Sequence, residues 1–433
     1  MKKIISALTL GAMIAGAAFA DVSINLNFRQ RANLYTTTGG EGLKATKTAL
    51  FTDAYSGNGS DNLAISLSGD IVAFDMQLVT DQKATNNWRS KKFAATVFLG
   101  QYELFAGLWA DGKLNGAYRT KTDVDAGNLE GMDFEWKKLG SGFKNSPSFF
   151  CDNLVQPVNT KGESYAIGAT YKLGLDNGAV NFNAAYITNA DSSEATTAKD
   201  TGMLRGHGFS FIADGRMDGL GQAELVWKFG SSQQNKKDGD ANAPAMAFGL
   251  YVQPTITRAL ILTVGGAGSM IDGAFTDYSV DLRARYQVIP KKLSVSSFHS
   301  YSALTDAGVD SSLSNETTKG LANSGAVTDG KCGGTTLKRD QILSNNLMVR
   351  YNVNDTFSVY GIVADMIGMG DNKGVKVDDA IVQLRASAWT QFYADKNNSV
   401  AVGLVYSSYN FTDANNGKAV NMIAIPVIFR VKM

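Results

Sequence analysis

Apolar and polar positions take turns along this chain from one end to the other. Over residues 22–35, VSINLNFRQRANLY, the apolar Val22, Ile24, Leu26, Phe28, Ala32 and Leu34 alternate with Ser23, Asn25, Asn27, Arg29, Arg31 and Asn33. Successive side chains of an extended chain point to opposite faces, so this period of two predicts a strand with one apolar and one polar side. The pattern returns in Tyr165, Ile167, Ala169, Tyr171 and Leu173 against Ser164, Gly168, Thr170 and Lys172. It returns again in Ala223, Leu225, Trp227 and Phe229 against Gln222, Glu224 and Lys228. Eighteen strands are predicted, at 22–35, 62–69, 70–80, 92–99, 101–110, 163–173, 178–188, 205–214, 219–229, 244–254, 258–270, 274–287, 291–302, 343–353, 356–367, 378–390, 398–410 and 418–431. In a soluble sandwich the apolar face needs a second sheet; in a barrel, lipid covers it and water meets the other side.

Connection lengths separate these two readings. After odd-numbered strands they are mostly long (36–61, 111–162, 189–204, 230–243, 303–342), and after even-numbered ones a few residues (Gly69-Asp70, Gly100, Gly174 to Asn177, Asn354-Asp355). Short turns at one end, long loops at the other and both termini at the short-turn end make the rhythm of an all-β, transmembrane antiparallel β-barrel. Residues 271–273 are short where a long loop is due, and the turn near 391–397 also fits less well. Segments near 113–121 and 128–136 alternate poorly; counted as a hairpin they give twenty strands, and antiparallel closure needs an even number within the range sixteen to twenty. A ring of that size leaves an aqueous channel.

The N-terminus places the chain. Lys2 and Lys3, the apolar stretch Ile4 to Ala17 and Ala18-Phe19-Ala20 form a cleavable export signal over 1–20, which leaves 21–433 as one barrel domain. No later stretch approaches the roughly 18 apolar residues of a spanning helix. With 45 Gly, 22 Phe, 16 Tyr and only 6 Pro, the composition suits strands, tight turns and aromatic belts. A formal net charge of +1 gives no reason to expect nucleic acid as a partner.

The residues then resemble a family. The opening strand ending in Tyr35, a long first loop, the hairpin NLAISLSGDIVAFDMQL and the segment FAATVFLGQYELFAGLWADG are similar in pattern and order to the start of the Gram-negative general porins. That resemblance implies an outer-membrane location, assembly by the barrel-assembly machinery, outer-membrane lipid around the wall and a homotrimer. It also implies that the loop after the fifth strand, here 111–162, constricts the pore with Asp123, Asp125, Glu130, Asp133 and Glu135. Met433 stands where these porins usually end in an aromatic, and Pro426 interrupts the last strand. Both departures point to a divergent lineage, such as a spirochaetal one.

Candidate chemistry is sparse. The only histidines are His207 and His299, and no HExxH, CxxC pair or P-loop occurs, so no enzyme, cofactor or metal is expected. His299 beside Ser297 and Ser300 opens a Ser-His hydrolase reading, against that of an ordinary strand histidine near the interface. The alternation turns Arg29, Arg31, Arg283, Arg285, Arg350 and Arg385 to the polar side, on strands that closure places along one arc of wall. Asp75, Glu224, Lys228 and Asp281 share that side; the carboxylates among them either neutralise scattered arginines or leave a positive arc that biases ion selectivity. Cys151 and Cys332, the only cysteines, fall in the two longest external connections of an exported chain, and a disulfide is expected there, with two free thiols as the alternative. The expected function is a water-filled channel for passive diffusion of small hydrophilic solutes and ions. A barrel adhesin or ligand-binding protein without channel activity is the alternative.

Overall fold

The computed structural model describes residues 21–39, 47–52, 58–81, 87–108, 164–189, 207–231, 244–271, 273–304, 313–314, 338–339, 341–369, 371–372, 375–376, 380–395, 398–410 and 419–433. Eighteen strands make the wall: β1 (Asp21–Gly39), β2 (Asn58–Ser68), β3 (Val72–Asp81), β4 (Asn87–Leu99), β5 (Tyr102–Leu108), β6 (Ser164–Leu175), β7 (Gly178–Asn189), β8 (His207–Met217) and β9 (Gly221–Ser231) form the first half. The second half is β10 (Pro244–Pro254), β11 (Leu260–Ile271), β12 (Ala274–Ile289), β13 (Leu293–Leu304), β14 (Gln341–Asn354), β15 (Phe357–Met369), β16 (Ala380–Tyr393), β17 (Ser399–Asn410) and β18 (Ala419–Lys432). Each corresponds to one strand expected from the alternation.

Every strand pairs antiparallel with its sequence neighbours, and β18 pairs with β1, so the sheet is a closed 18-stranded barrel. Closure leaves no free edge, which satisfies the backbone donors and acceptors that hydrocarbon cannot. At the seam Leu26 and Met433 exchange both backbone hydrogen bonds at 2.8 Å, which puts the two termini at the short-turn end. β1 serves two partners on its other side. Asp21 to Asn27 pair with β2, and Asn33 to Thr38 pair with a short strand, Lys47–Thr52, that extends the wall above it.

Pro426 is accommodated by irregular pairing. Its partner on β1 is Asn33, and the register then skips Leu34 to pair Tyr35 with Ile425. A bulge opposite the residue that lacks an N–H keeps the seam closed where a regular ladder would lose a bond. The short connection at 272–273 joins β11 to β12 at the long-loop end through Gly273, whose φ of 77° allows the tight reversal.

The two faces of the wall differ as a membrane barrel requires. Ile24, Leu104, Ile167, Leu225, Leu250, Val280, Leu347, Val363, Leu404 and Phe429 point outward and are exposed, while Thr170, Asn183, Ser210, Glu224, Asp281 and Ser300 point inward and are buried. An exterior that is apolar over most of its area is what a soluble protein avoids and a bilayer accepts. Aromatic pairs mark both ends of this band. Tyr102–Tyr171 and Phe357–Phe392, with centroids 5.1 and 4.5 Å apart, lie toward the short turns. Tyr186–Phe209 and Tyr278–Tyr301, at 5.5 and 6.2 Å, lie toward the long loops.

On the inner face three rings reach over glycines directly opposite on the next strand: Phe105 over Gly168, Tyr251 over Gly265 and Trp389 over Gly403. A Cβ at any of these glycines would stand 2.5 Å or less from the ring above it. The missing side chain is what lets the aromatic occupy the wall's inner surface.

Candidate functional site: the inner wall

The inner wall is assembled by period-two geometry alone, since every second residue of each strand faces in. From β8 to β14 this face is mostly polar. Asp214, Glu224, Tyr251, Gly265 and Asp281 follow one another in register across β8 to β12, so three carboxylates share one row. Asn181 Nδ2 donates to Asp214 Oδ2 at 3.1 Å, and Ser300 Oγ donates to Asp281 Oδ1 at 2.5 Å. One row on, Thr263, Arg283 and Phe298 are in register, and the Arg283 guanidinium lies 5.5 Å from the centroid of the Phe298 ring. Ring contact of this kind holds the guanidinium against the wall. Lys228, only 1% exposed, projects from β9 two strand-facing positions beyond Glu224.

Seven of the residues expected to face the polar side do so with their side chains described: Asp75, Glu224, Lys228, Asp281, Arg283, Arg285 and Arg350. Asp75 accepts from Ser66 Oγ across β2 and β3 at 2.7 Å. Arg350 Nη2 donates to Ser358 Oγ at 3.4 Å, and Ser358 in turn donates to Asn352 Oδ1 at 2.9 Å. Arg29, Arg31 and Arg385 lie in β1 and β16, with Arg29 in register with Arg430 and Arg385 with Ser407; their side chains lie outside the described residues. The ring order runs from β12 through β18 to β1, so the backbone positions of all six arginines occupy one stretch of wall. Charge within it is mixed, because Asp281 stands two residues from Arg283 on the same face.

In one inner sector alternation did not reveal the apolar and aromatic groups that line the wall. From β15 to β18 the buried inward positions include the apolar Tyr360, Ile362, Ala364, Trp389, Ala401, Val405, Met422, Ala424 and Ile428, interspersed with the polar Ser358, Gln391 and Ser399. Tyr360 and Trp389 stack at 6.4 Å with their planes 7° apart. Where β15 and β18 are apolar on both faces, as at Ile362-Val363-Ala364 and Met422-Ile423-Ala424, a continuous apolar run carries no period from which to read an inner side. The inner wall is therefore mostly polar and charged from β8 to β14, and from β15 to β18 it mixes apolar and aromatic groups with polar ones.

The loop acids Asp123, Asp125, Glu130, Asp133 and Glu135, the possible extra hairpin and both cysteines, Cys151 and Cys332, lie outside the described residues, as does the side chain of His207. His299 turns outward between the inward Phe298 and Ser300, and its Nδ1 hydrogen bond goes to Asn345 Oδ1 at 2.8 Å rather than to a serine. Among the described residues no three His, Cys, Asp or Glu gather closely enough to hold a metal ion.

No protein-family model matches this chain, and no curated protein matches it in sequence. Among solved structures, Pseudomonas aeruginosa OccK11 (OpdR) is similar at 11% identity and a TM-score of 0.48, over 96% of this chain and 97% of that one. Pseudomonas aeruginosa OpdL is similar at 9% identity and a TM-score of 0.48, over 96% of this chain and 99% of that one. An anion-selective porin from Comamonas acidovorans is similar at 11% identity and a TM-score of 0.46, over 95% of this chain and 99% of that one.

Proposed function

We propose that this chain is an outer-membrane porin whose lumen passes small hydrophilic solutes and ions by passive diffusion. The observation that carries the proposal is the division of one closed wall into an apolar exterior and an interior that holds Asp214, Glu224, Lys228, Asp281 and Arg283. A ring of 18 strands is of the size that leaves an aqueous passage. Charged groups set into its wall act on passing ions through a low-dielectric surround, so their sign and spacing tune selectivity. No bond is made or broken in this role, and neither cofactor nor metal enters it. The export signal over 1–20, lipid around the wall and handling by the barrel-assembly machinery belong to the same proposal.

The test is electrical. Purified, folded protein added to a planar lipid bilayer is expected to give stable, stepwise conductance increments in potassium chloride. Insertion without conductance would refute the channel and leave a barrel that acts through its loops, as an adhesin does.

A further inference from the structure

At the short-turn end, the inner face of β14, β15 and β16 holds a polar recess. Its volume is about 400 Å³, enough for a small-molecule ligand, and Arg350, Asn352, Asp355, Ser358, Tyr393 and Asp395 line it. Arg350, Asn352, Ser358 and Tyr393 are inward positions of their strands, so the recess faces the lumen. Among the described residues the Arg350 guanidinium makes a single hydrogen bond, to Ser358 Oγ at 3.4 Å, and no carboxylate lies within ion-pair distance of it. Its Nε is buried without a partner. A guanidinium carries five N–H donors, and buried donors left without acceptors are costly. Asp355, exposed in the turn between β14 and β15, also makes no hydrogen bond or ion pair among the described residues. Asp395 differs, because its carboxylate accepts from Asn398 N at 2.8 Å and from Asn398 Nδ2 at 2.7 Å within its own turn.

We propose that this recess binds short peptides with free ends, the carboxylate on Arg350 and the ammonium group on Asp355. The fork of a guanidinium suits a carboxylate, which accepts two parallel N–H bonds from it. A simple anion is disfavoured, because Asp355 and Asp395 stand in the same recess as the one guanidinium. A simple cation is disfavoured by Arg350. An occupant that carries both charges meets each of them with its complement. Spacing sets its length. Arg350 bonds to Ser358, so its guanidinium lies at the level of the Asn352–Ser358 pair, and Asp355 sits in the turn beyond. That is about two to three residues further along the strand, or roughly 7–10 Å. An extended dipeptide spans roughly 7 Å between its ends. A free amino acid, whose two charges are adjacent, is too short to reach both. Such binding stays weak enough to release, as a passage requires. That the peptide arrives through the lumen rests on the channel reading above; its binding does not.

The experiment is a ligand-observed NMR titration of the folded full chain in detergent micelles. Three probes differ only at their ends: glycylglycine has both charges, N-acetylglycylglycine lacks the ammonium group and glycylglycinamide lacks the carboxylate. Saturable binding is expected for glycylglycine and weaker binding for the other two. Arg350→Gln is expected to raise the glycylglycine dissociation constant about tenfold, as the loss of one hydrogen bond to a charged group does. Asp355→Asn, a change on an exposed turn that leaves folding intact, is expected to weaken glycylglycine and leave N-acetylglycylglycine no weaker. Arg258→Gln, the same charge change in the turn between β10 and β11, should leave all three affinities as they were. No saturable binding by the folded protein, equal affinities for the three probes, a glycylglycine constant that neither Arg350→Gln nor Asp355→Asn moves, or an equal loss with Arg258→Gln overturns the peptide site. Binding that follows the expected pattern in a protein without conductance steps would instead overturn the channel and leave the peptide site standing.

Discussion

A single added carbon at Gly403 should destabilise the barrel far more than the same carbon at Gly361. An alanine Cβ at Gly403 would meet Cε3, Cδ2 and Cε2 of Trp389 at 2.5, 2.6 and 2.7 Å. Carbon atoms settle at about 3.5–4.0 Å, so the indole has to lift by about 1 Å. Trp389 is 1% exposed, so the movement displaces its neighbours, and overpacking of this kind costs about 1–3 kcal/mol. The stack on Tyr360 is disturbed as well, a loss of about 0.5–1.5 kcal/mol. Gly403→Ala is therefore expected to cost about 1.5–4.5 kcal/mol in all. At Gly361 the nearest atom to a new Cβ is Ser387 O at 3.7 Å, an ordinary contact, and Gly361→Ala should be neutral or slightly stabilising. Urea titration of the folded protein in lipid vesicles, read by the mobility of folded and unfolded bands, measures both. In a Trp389→Ala background the penalty of Gly403→Ala should fall below about 0.5 kcal/mol, because the ring it strikes is gone. An equal penalty in both backgrounds would refute the aromatic-over-glycine account of this wall.

Removal of residues 419–433 takes away β18, and the remaining chain should fail to give a heat-modifiable, membrane-inserted form; normal insertion would contradict ring closure through β1. Replacing Arg283, Arg285 and Arg350 by Ser should move the reversal potential in a salt gradient toward cation preference, with a larger shift when Arg29, Arg31 and Arg385 are replaced as well. No movement in that potential would mean that carboxylates such as Asp281 already cancel the arginines. Thiol labelling of unreduced, denatured protein should find no free cysteine, and two labelled sites would exclude a Cys151–Cys332 bond. Deletion of residues 120–136 should raise single-channel conductance; an unchanged value would remove that segment from the pore.

The strands were legible because the bilayer enforces the simplest of patterns. Where water lies on one side and lipid on the other, as at Leu225 and Trp227 against Glu224 and Lys228, a period of two is written into the sequence and neither fold nor face is ambiguous. Legibility failed where the pattern lost its contrast. On β18 both Met422 and Ile423 are apolar, yet one faces in and the other out. At Asp365 the expectation that charges face the lumen points the wrong way, and only the registers of β14 and β15 show the carboxylate outside. The bulge at Leu34 shifts the phase of β1 within the strand, so alternation counted from Val22 no longer holds at Thr36, which is buried. The candidate site was read residue by residue at its polar positions; the stack of Tyr360 on Trp389 and the apolar groups beside it became visible only once the strands were placed side by side.

An even number of strands that begins and ends at the short-turn end has a consequence for how the wall is built. Neither chain terminus has to pass through the hydrocarbon; only hairpin tips do, each carried over by the odd and even strands on either side of it. The toll on each crossing is then set by the polar backbone in its tip. β11 and β12, joined by residues 272 and 273 alone, carry the lightest load, and β5 and β6, separated by everything between Leu108 and Ser164, carry the heaviest. The traffic across the bilayer is thus uneven around the circumference, and the hairpin β11–β12 is the one whose entry demands least from the machinery that delivers it.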